Sequence, residues 1–240
     1  MKRTLTLTLL VITLSCNQTF SQTQFMGWLA SFQSTKTGKH TSILSDVQLR
    51  SSDGIEHVQT LLLRAGFTYH AGRKFLLTTG YAFVDNRRTL GGISGYIPEH
   101  RIWEQVIFNH KQGRLNISHR LRLEQRFIGT AVTENDDLRQ SGHVYANRFR
   151  YFIRNILPFR KQETFKKGLF AALQDEVFLN IGNKANVNGK GFDQNRLYLA
   201  LGYRLKTSID LEAGYLNQYI SGVTGRTNNH VAQLVVYLRL

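Results

Sequence analysis

From residue 22 onward, polar and apolar side chains alternate with a period of two over long stretches. Arg114 to Phe127 is the clearest case. Arg114, Asn116, Ser118, Arg120, Arg122, Glu124 and Arg126 fall on one side, and Leu115, Ile117, His119, Leu121, Leu123, Gln125 and Phe127 on the other. A helix would mix these two sets, whereas a pleated strand separates them. Residues 143–156 repeat the pattern, with Arg148, Arg150 and Arg154 opposite Tyr145, Phe149, Tyr151 and Ile153. So do residues 192–205, where Gln194, Arg196, Tyr198 and Arg204 oppose Leu197, Leu199, Leu201, Tyr203 and Leu205. In 208–220, Asp210, Glu212, Gly214 and Gln218 oppose Ile209, Leu211, Ala213, Tyr215 and Tyr219.

Strands are expected near 25–33, 42–51, 57–69, 74–84, 99–110, 114–128, 143–157, 168–180, 192–205, 208–220 and 230–240. Many exceed the roughly 5–6 residues of strands in soluble sheets and reach the roughly 9–11 of a tilted membrane strand. No segment of this region approaches the about 18 consecutive apolar residues of a transmembrane helix. Short connections such as Lys111-Gln112-Gly113 and Lys206-Thr207 alternate with longer ones at 85–98, 129–142, 181–191 and 221–229. That asymmetry is the arrangement of outer-membrane barrels. The expected fold is all-β, an antiparallel up-and-down transmembrane β-barrel. Bacterial single-chain barrels carry an even number of strands, and the alternation of long and short connections loses phase within 25–51. The expected count is therefore 10 or 12.

The first residues read as a targeting signal. Met1-Lys2-Arg3 is basic, Leu5 to Leu14 is a short apolar run, and Thr19-Phe20-Ser21 offers a small-residue cleavage site before Gln22. Residues 1–21 are thus a signal peptide and 22–240 a single barrel domain. Lipidation at Cys16 is the alternative, although Thr13 stands where a lipobox has a large aliphatic residue. Cys16 is the one cysteine, which excludes an internal disulfide framework and a thiolate metal cluster.

Charge sharpens the picture. Lys and Arg number 31 against 16 Asp and Glu, a formal +15. The lysines sit in or beside turns, whereas arginines occupy strand interiors. An Arg on a lipid face near the midplane costs about 2–4 kcal/mol, so these side chains belong in the lumen. The lumen-lining set is Arg50, Arg64, Arg101, Arg120, Arg122, Glu124, Arg126, Arg148, Arg150, Arg154, Glu176, Gln194, Arg196, Asp210 and Glu212. It admits two readings: a salt-bridge lattice that fills a narrow barrel, or an Arg-rich constriction that passes small anions. Nucleic acid is excluded as a partner, because the arginines and aromatics lie on opposite faces of the same strands. Partners expected instead are outer-membrane lipids and lipopolysaccharide, met by turn and loop cations such as Arg87, Arg88, Arg160 and Arg226. The last strand alternates Ala232, Leu234, Val236, Leu238 and Leu240 to the terminus, a signal for barrel-assembly machinery, with Leu240 where a terminal Phe is usual.

Trp28, Tyr69, Tyr81, Phe83, Phe108, Phe127, Tyr145, Tyr151, Tyr203, Tyr215 and Tyr219 are expected to form outward interfacial girdles. Trp103 is expected inside, beside Arg101 and Gln105, with a local bulge to keep Glu104 from lipid. No catalytic motif is evident: the eight histidines have no metal-ligand spacing, Gly92-Ile93-Ser94-Gly95 is not a nucleophile elbow, and no cofactor site is indicated. Two alternatives stay open. One is a hydrolase at the extracellular rim built from Asp85, His100, Asp136, Asp137 and His143. The other is a soluble periplasmic ligand-binding barrel, which outward aliphatic faces disfavour.

Several segments resemble one family. They are Gly80-Tyr81-Ala82, Glu99-His100-Arg101-Ile102-Trp103-Glu104-Gln105, His119 to Phe127, Arg148-Phe149-Arg150-Tyr151, Asp175-Glu176-Val177-Phe178, Phe192-Asp193-Gln194-Asn195-Arg196 and Gly214-Tyr215. Together they resemble domain of unknown function 2490 (DUF2490), a set of expected outer-membrane barrels of Gram-negative bacteria. The resemblance spans about residues 25–240. It implies a barrel and export, and it brings no activity and no catalytic residues.

Overall fold

The computed structural model describes residues 22–162 and 164–240; the expected signal peptide, residues 1–21, and with it Cys16 lie outside these described residues. Eleven strands form one closed barrel. They are β1 (Gln22–Lys36), β2 (Thr41–Ser52), β3 (His57–Ala71), β4 (Phe75–Leu90), β5 (Ile93–Gln112) and β6 (Leu115–Glu134), then β7 (Asp137–Pro158), β8 (Gly168–Ile181), β9 (Phe192–Lys206), β10 (Ile209–Ser221) and β11 (Arg226–Arg239). Consecutive strands pair antiparallel, and β1 closes the barrel against β11 in parallel, from Gln22↔Thr227 to Ser34↔Arg239. The expected even count and wholly antiparallel wall are both corrected. An odd number of up-and-down strands sends the first and last strand the same way, so the closing ladder has to be parallel.

Two of the expected long loops are also corrected. Residues 85–98 and 129–142 continue as strand to the tips of two extended hairpins, with Leu90↔Ile93 and Glu134↔Asp137 as the last pairs. Both tips are two-residue turns with positive φ at both positions, Gly91 and Gly92 in one, Asn135 and Asp136 in the other. Such turns match strand twist and keep the ladder in register to its end. These hairpins lie at the end of the barrel where β1 starts. Leu240 and the 37–40, 72–74, 113–114 and 207–208 connections lie at the opposite end.

Alternation partitions the two faces. Leu201 (62% exposed), Leu234 (55%), Leu29, Phe67, Leu121, Leu173 and Leu211 point outward, while their strand neighbours Ala200, Gln233, Trp28, Arg122 and Asp210 are buried inside. Ladder irregularities occur at Arg50/Ser51, Thr130/Ala131, Phe178/Leu179 and Ile209/Asp210. The expected bulge at Trp103–Glu104 does not occur, because both ladders of β5 run through that point without a shift.

Trp103 is inside, as its parity requires, and 2% exposed. Its ring lies over Gly66 and Gly80, which are cross-strand partners. A Cβ at Gly80 would come within 2.5 Å of the ring and 2.3 Å of the Ala65 carbonyl oxygen, so the slot admits no side chain. Trp28, expected in an outward girdle, is instead buried in the lumen. β1 is apolar on both faces, with Phe25 and Leu29 outside and Met26, Ala30 and Phe32 inside, so its alternation does not choose a face.

Candidate functional site

The lumen has two halves. Behind β1 and β8–β11 lies an apolar cluster that includes Met26, Trp28, Phe170, Tyr198, Leu216, Val231 and Val235. Phe165, from the β7–β8 connection, folds back into this cluster and meets Phe170 edge-on at 5.8 Å. Arg204 fixes it there, donating to the Phe165 carbonyl oxygen (2.9 Å) and lying 4.4 Å over its ring. The connection thereby tucks an aromatic side chain into the lumen at its short-turn end.

The other half is a lattice of charge. Register places Arg122 opposite Arg150 and Glu124 opposite Arg148. Like charges in direct opposition repel, so the lattice stands only if carboxylates are interleaved with them. Glu124, 1% exposed, takes that place: it accepts from Arg148 (2.7 Å) and Arg150 (2.5 Å), with Arg122 at 3.8 Å. Glu176, from β8, accepts from Arg120 (2.6 Å) and Arg150 (2.7 Å). Glu99 binds Arg101 (2.7 Å) and Arg126 (2.6 Å), and Asp193 takes the far side of Arg148 (3.0 Å). Arg64 pairs with Asp46 (2.8 Å), Arg154 with Glu212, and Asp210 with both Arg204 (2.7 Å) and Arg239 (2.8 Å).

Rings support the guanidinium planes as well. Arg150, Arg148 and Arg196 lie 4.4, 5.2 and 4.8 Å over Phe178, and Arg122 lies 4.6 Å over Trp103. This is the use that a planar cation suits better than an ammonium. All fifteen expected lumen-lining residues do lie on inward positions, from Arg50 and Gln194 to Asp210 and Glu212. A cavity of about 870 Å³ remains between the two halves. Its lining runs from Ser34 and Arg239 toward the short-turn end to Asn86, Arg88 and Ile220 toward the other.

The family model for proteins of unknown function DUF2490 matches residues 25–229. The chain belongs to this family. An uncharacterized protein of Methylorubrum extorquens is 24% identical over 199 residues, 81% of this chain and 79% of the relative. No solved structure matches.

In this DUF2490 chain the segments that carried the resemblance meet one another on both faces of the wall. Inside they supply Glu99, Trp103, Glu124, Arg148, Arg150, Glu176 and Asp193. Outside they supply cross-strand polar pairs: Gln125 with Glu104 (3.1 Å), Asn195 with Asp175 (2.7 Å), His119 with Tyr151 (2.9 Å), and Tyr81 with His100. Tyr215 pairs similarly with His230 (2.5 Å). His119, Gln125, Asp175 and Asn195, which the alternation puts on the apolar face, thus have partners there.

The rim candidates have separate settings, except that Asp85 and His100 are diagonal neighbours across the β4–β5 ladder. His100 is held by Tyr81 on the outer wall, and the His143 ring meets Phe127 at 5.9 Å. Asp136 is a turn tip, and Asp137 faces Arg139 at 3.7 Å. No group of three or more His, Cys, Asp or Glu among the described residues could hold a metal ion. Trp28, Gln48, Glu99 and Asp193 line the lumen without having been singled out for it, and Gln105, expected inside beside Trp103, braces Arg122 there. For Glu99 a signal existed, since it shares the parity of Arg101 and Trp103.

Proposed function

We propose that the protein is an outer-membrane β-barrel whose narrow, cationic lumen passes small anions. The supporting observation is the partition of the wall: aliphatic side chains outside, and inside a cavity of about 870 Å³ lined by more guanidinium than carboxylate. An exposed aliphatic surface of this extent is far beyond what a soluble monomer carries, and lipid is the solvent that suits it. The outward polar side chains fit the same reading. In hydrocarbon a polar group has to find its partner within the protein, and the Glu104–Gln125 and Asp175–Asn195 pairs do so. Tyr81, Tyr145, Tyr151 and Tyr215 are exposed on the outer wall, as interfacial rings are. Lys36, Lys39, Lys74 and Lys206 at the short-turn end suit anionic headgroups, and Lys184 and Lys190 at the other end suit lipopolysaccharide phosphates.

Two measurements test this. Fractionation of expressing cells, with gel mobility read before and after boiling, is expected to give heat-modifiable protein in the outer membrane. Recovery in the soluble periplasm would refute the location. In planar bilayers under a KCl gradient, the reversal potential is expected to have the sign of chloride preference. Absence of current at every voltage would leave the lattice a purely structural filling.

A further inference from the structure

We propose that the lumen contains a specific site for a small organic carboxylate, its acid group between Arg50 and Arg196 and its apolar body against Trp28. The site deepens the anion reading and rests on it only for the ligand's route of entry.

Arg50 and Arg196 border the lattice without an ion pair of their own, although Arg196 lies opposite Glu176 in the β8–β9 register. The lattice's buried acids are engaged by other arginines, and neither of these two has a carboxylate within 4.0 Å among the described residues. Each donates instead to a glutamine two residues away on its own strand, Arg50 to Gln48 (2.7 Å) and Arg196 to Gln194 (3.3 Å). A neutral amide oxygen offers a hydrogen bond but no counter-charge, and Glu176, opposite Arg196, is already shared by Arg120 and Arg150. The Nε atoms of both are buried without a hydrogen-bond partner, and so is Nε1 of Trp28.

These orphans converge. The Arg50 and Arg196 guanidiniums lie 4.3 and 5.1 Å from the centre of the same Trp28 ring, and all three side chains line the cavity. Two cations without ion pairs of their own on one ring repel each other, and in a shielded lumen water relieves this only partly. A carboxylate between them removes the repulsion and supplies acceptors for donors that now have none. The wall argues for an organic anion over a bare one. Leu62 and Leu216 line the same cavity, and Trp28 is continuous with the apolar cluster. An inorganic anion would satisfy the guanidiniums and leave that wall wet, whereas an aryl or short alkyl body covers it.

Equilibrium dialysis of the full-length, detergent-folded barrel against radiolabelled benzoate tests the site, with benzamide as the neutral isostere and sulfate as the bare anion. Saturable one-to-one uptake of benzoate is expected, with none of benzamide, and at least tenfold weaker binding in Arg50→Gln and in Arg196→Gln. No saturable uptake, or equal uptake of benzoate and benzamide, would overturn the proposal. Sulfate displacing benzoate at equal concentration would overturn the organic body and leave an inorganic anion site. If the variants fail to show folded mobility, the three-probe comparison on the native chain decides alone. Dialysis needs neither bilayer nor current. A barrel that binds benzoate but conducts nothing refutes the channel reading and not the site, and a conducting barrel that ignores benzoate refutes the site and not the channel.

Discussion

Glu124 is the most exacting place to test the luminal lattice. Its carboxylate is fully buried and shared by Arg148 and Arg150, with Arg122 close behind. Glu124→Gln keeps the shape and one acceptor oxygen but removes the one carboxylate that all three cations share. Deleting one partner of a buried ion pair costs about 3–5 kcal/mol. Arg148 retains Asp193 and Arg150 retains Glu176, so the loss falls at or just below the bottom of that range, about 2–3 kcal/mol. Urea titration of the vesicle-reconstituted barrel reads it as a shift in midpoint at unchanged slope. Asp137→Asn is the internal contrast, since its partner Arg139 is 3.7 Å away and both side chains are more than half exposed. That exposed pair is expected to be worth less than about 0.5 kcal/mol. The same Glu124→Gln change leaves the lumen one unit more positive, so chloride preference is expected to rise while stability falls. A loss indistinguishable from that of Asp137→Asn would refute the claim that the lattice holds the interior together.

Four further outcomes follow from the geometry. Gly80→Val forces a side chain into the Trp103 ring and is expected to cost about 1–3 kcal/mol, seen as a lower temperature for loss of the fast-migrating folded band. In a Cys16→Ser background, the pair Leu29→Cys and Leu234→Cys is expected to crosslink on mild oxidation, because these residues are partners in the parallel ladder; Leu29→Cys with Leu238→Cys is not, since Leu238 pairs with Gln33. An environment-sensitive fluorophore on Leu201→Cys in that background is expected to show a blue-shifted, apolar emission in native outer membrane, and a water-like emission would place the outer wall elsewhere. Phe165→Ala withdraws the aromatic side chain tucked into the short-turn end, so single-channel conductance is expected to increase; unchanged conductance would mean the connection does not limit flow.

Much of the barrel was legible because a strand with lipid-like residues on one side and charge on the other advertises its own faces. β6 and β7 do this without ambiguity, and every luminal Arg on them could be assigned from parity alone. Legibility failed where the two faces carry the same chemistry. β1 is apolar inside and out, which hid Trp28, and with it the ring that Arg50 and Arg196 share. The strand count failed for a different reason. All eleven segments were visible, and the rule of an even strand number displaced the count, whereas nothing in local alternation tells a parallel seam from an antiparallel one. The extended hairpins were missed because Asp85 to Leu90 and Thr130 to Glu134 carry polar residues on both faces, so no alternation marks them as strand. Which carboxylate serves which guanidinium was beyond reach, since Glu124, Asp193 and Arg148 meet only through the registers of separate hairpins.

The uneven lumen has a structural logic centred on its seam. Parallel pairing is slightly weaker per residue than antiparallel pairing, and β1–β11 is the one ladder no hairpin turn holds in place. The apolar cluster packs directly behind this ladder, with Met26 and Trp28 from one strand and Val231 and Val235 from the other. Burial of those side chains fixes the register that a turn fixes elsewhere. The charge lattice, by contrast, hangs mainly on β5–β8, whose hairpins are already secured and can carry the cost of buried ions. Trp28 stands at the boundary: its ring belongs to the seam's packing and also faces two cations that the lattice leaves unmatched. The seam's packing therefore also carries the ring over which two luminal cations without ion pairs of their own lie.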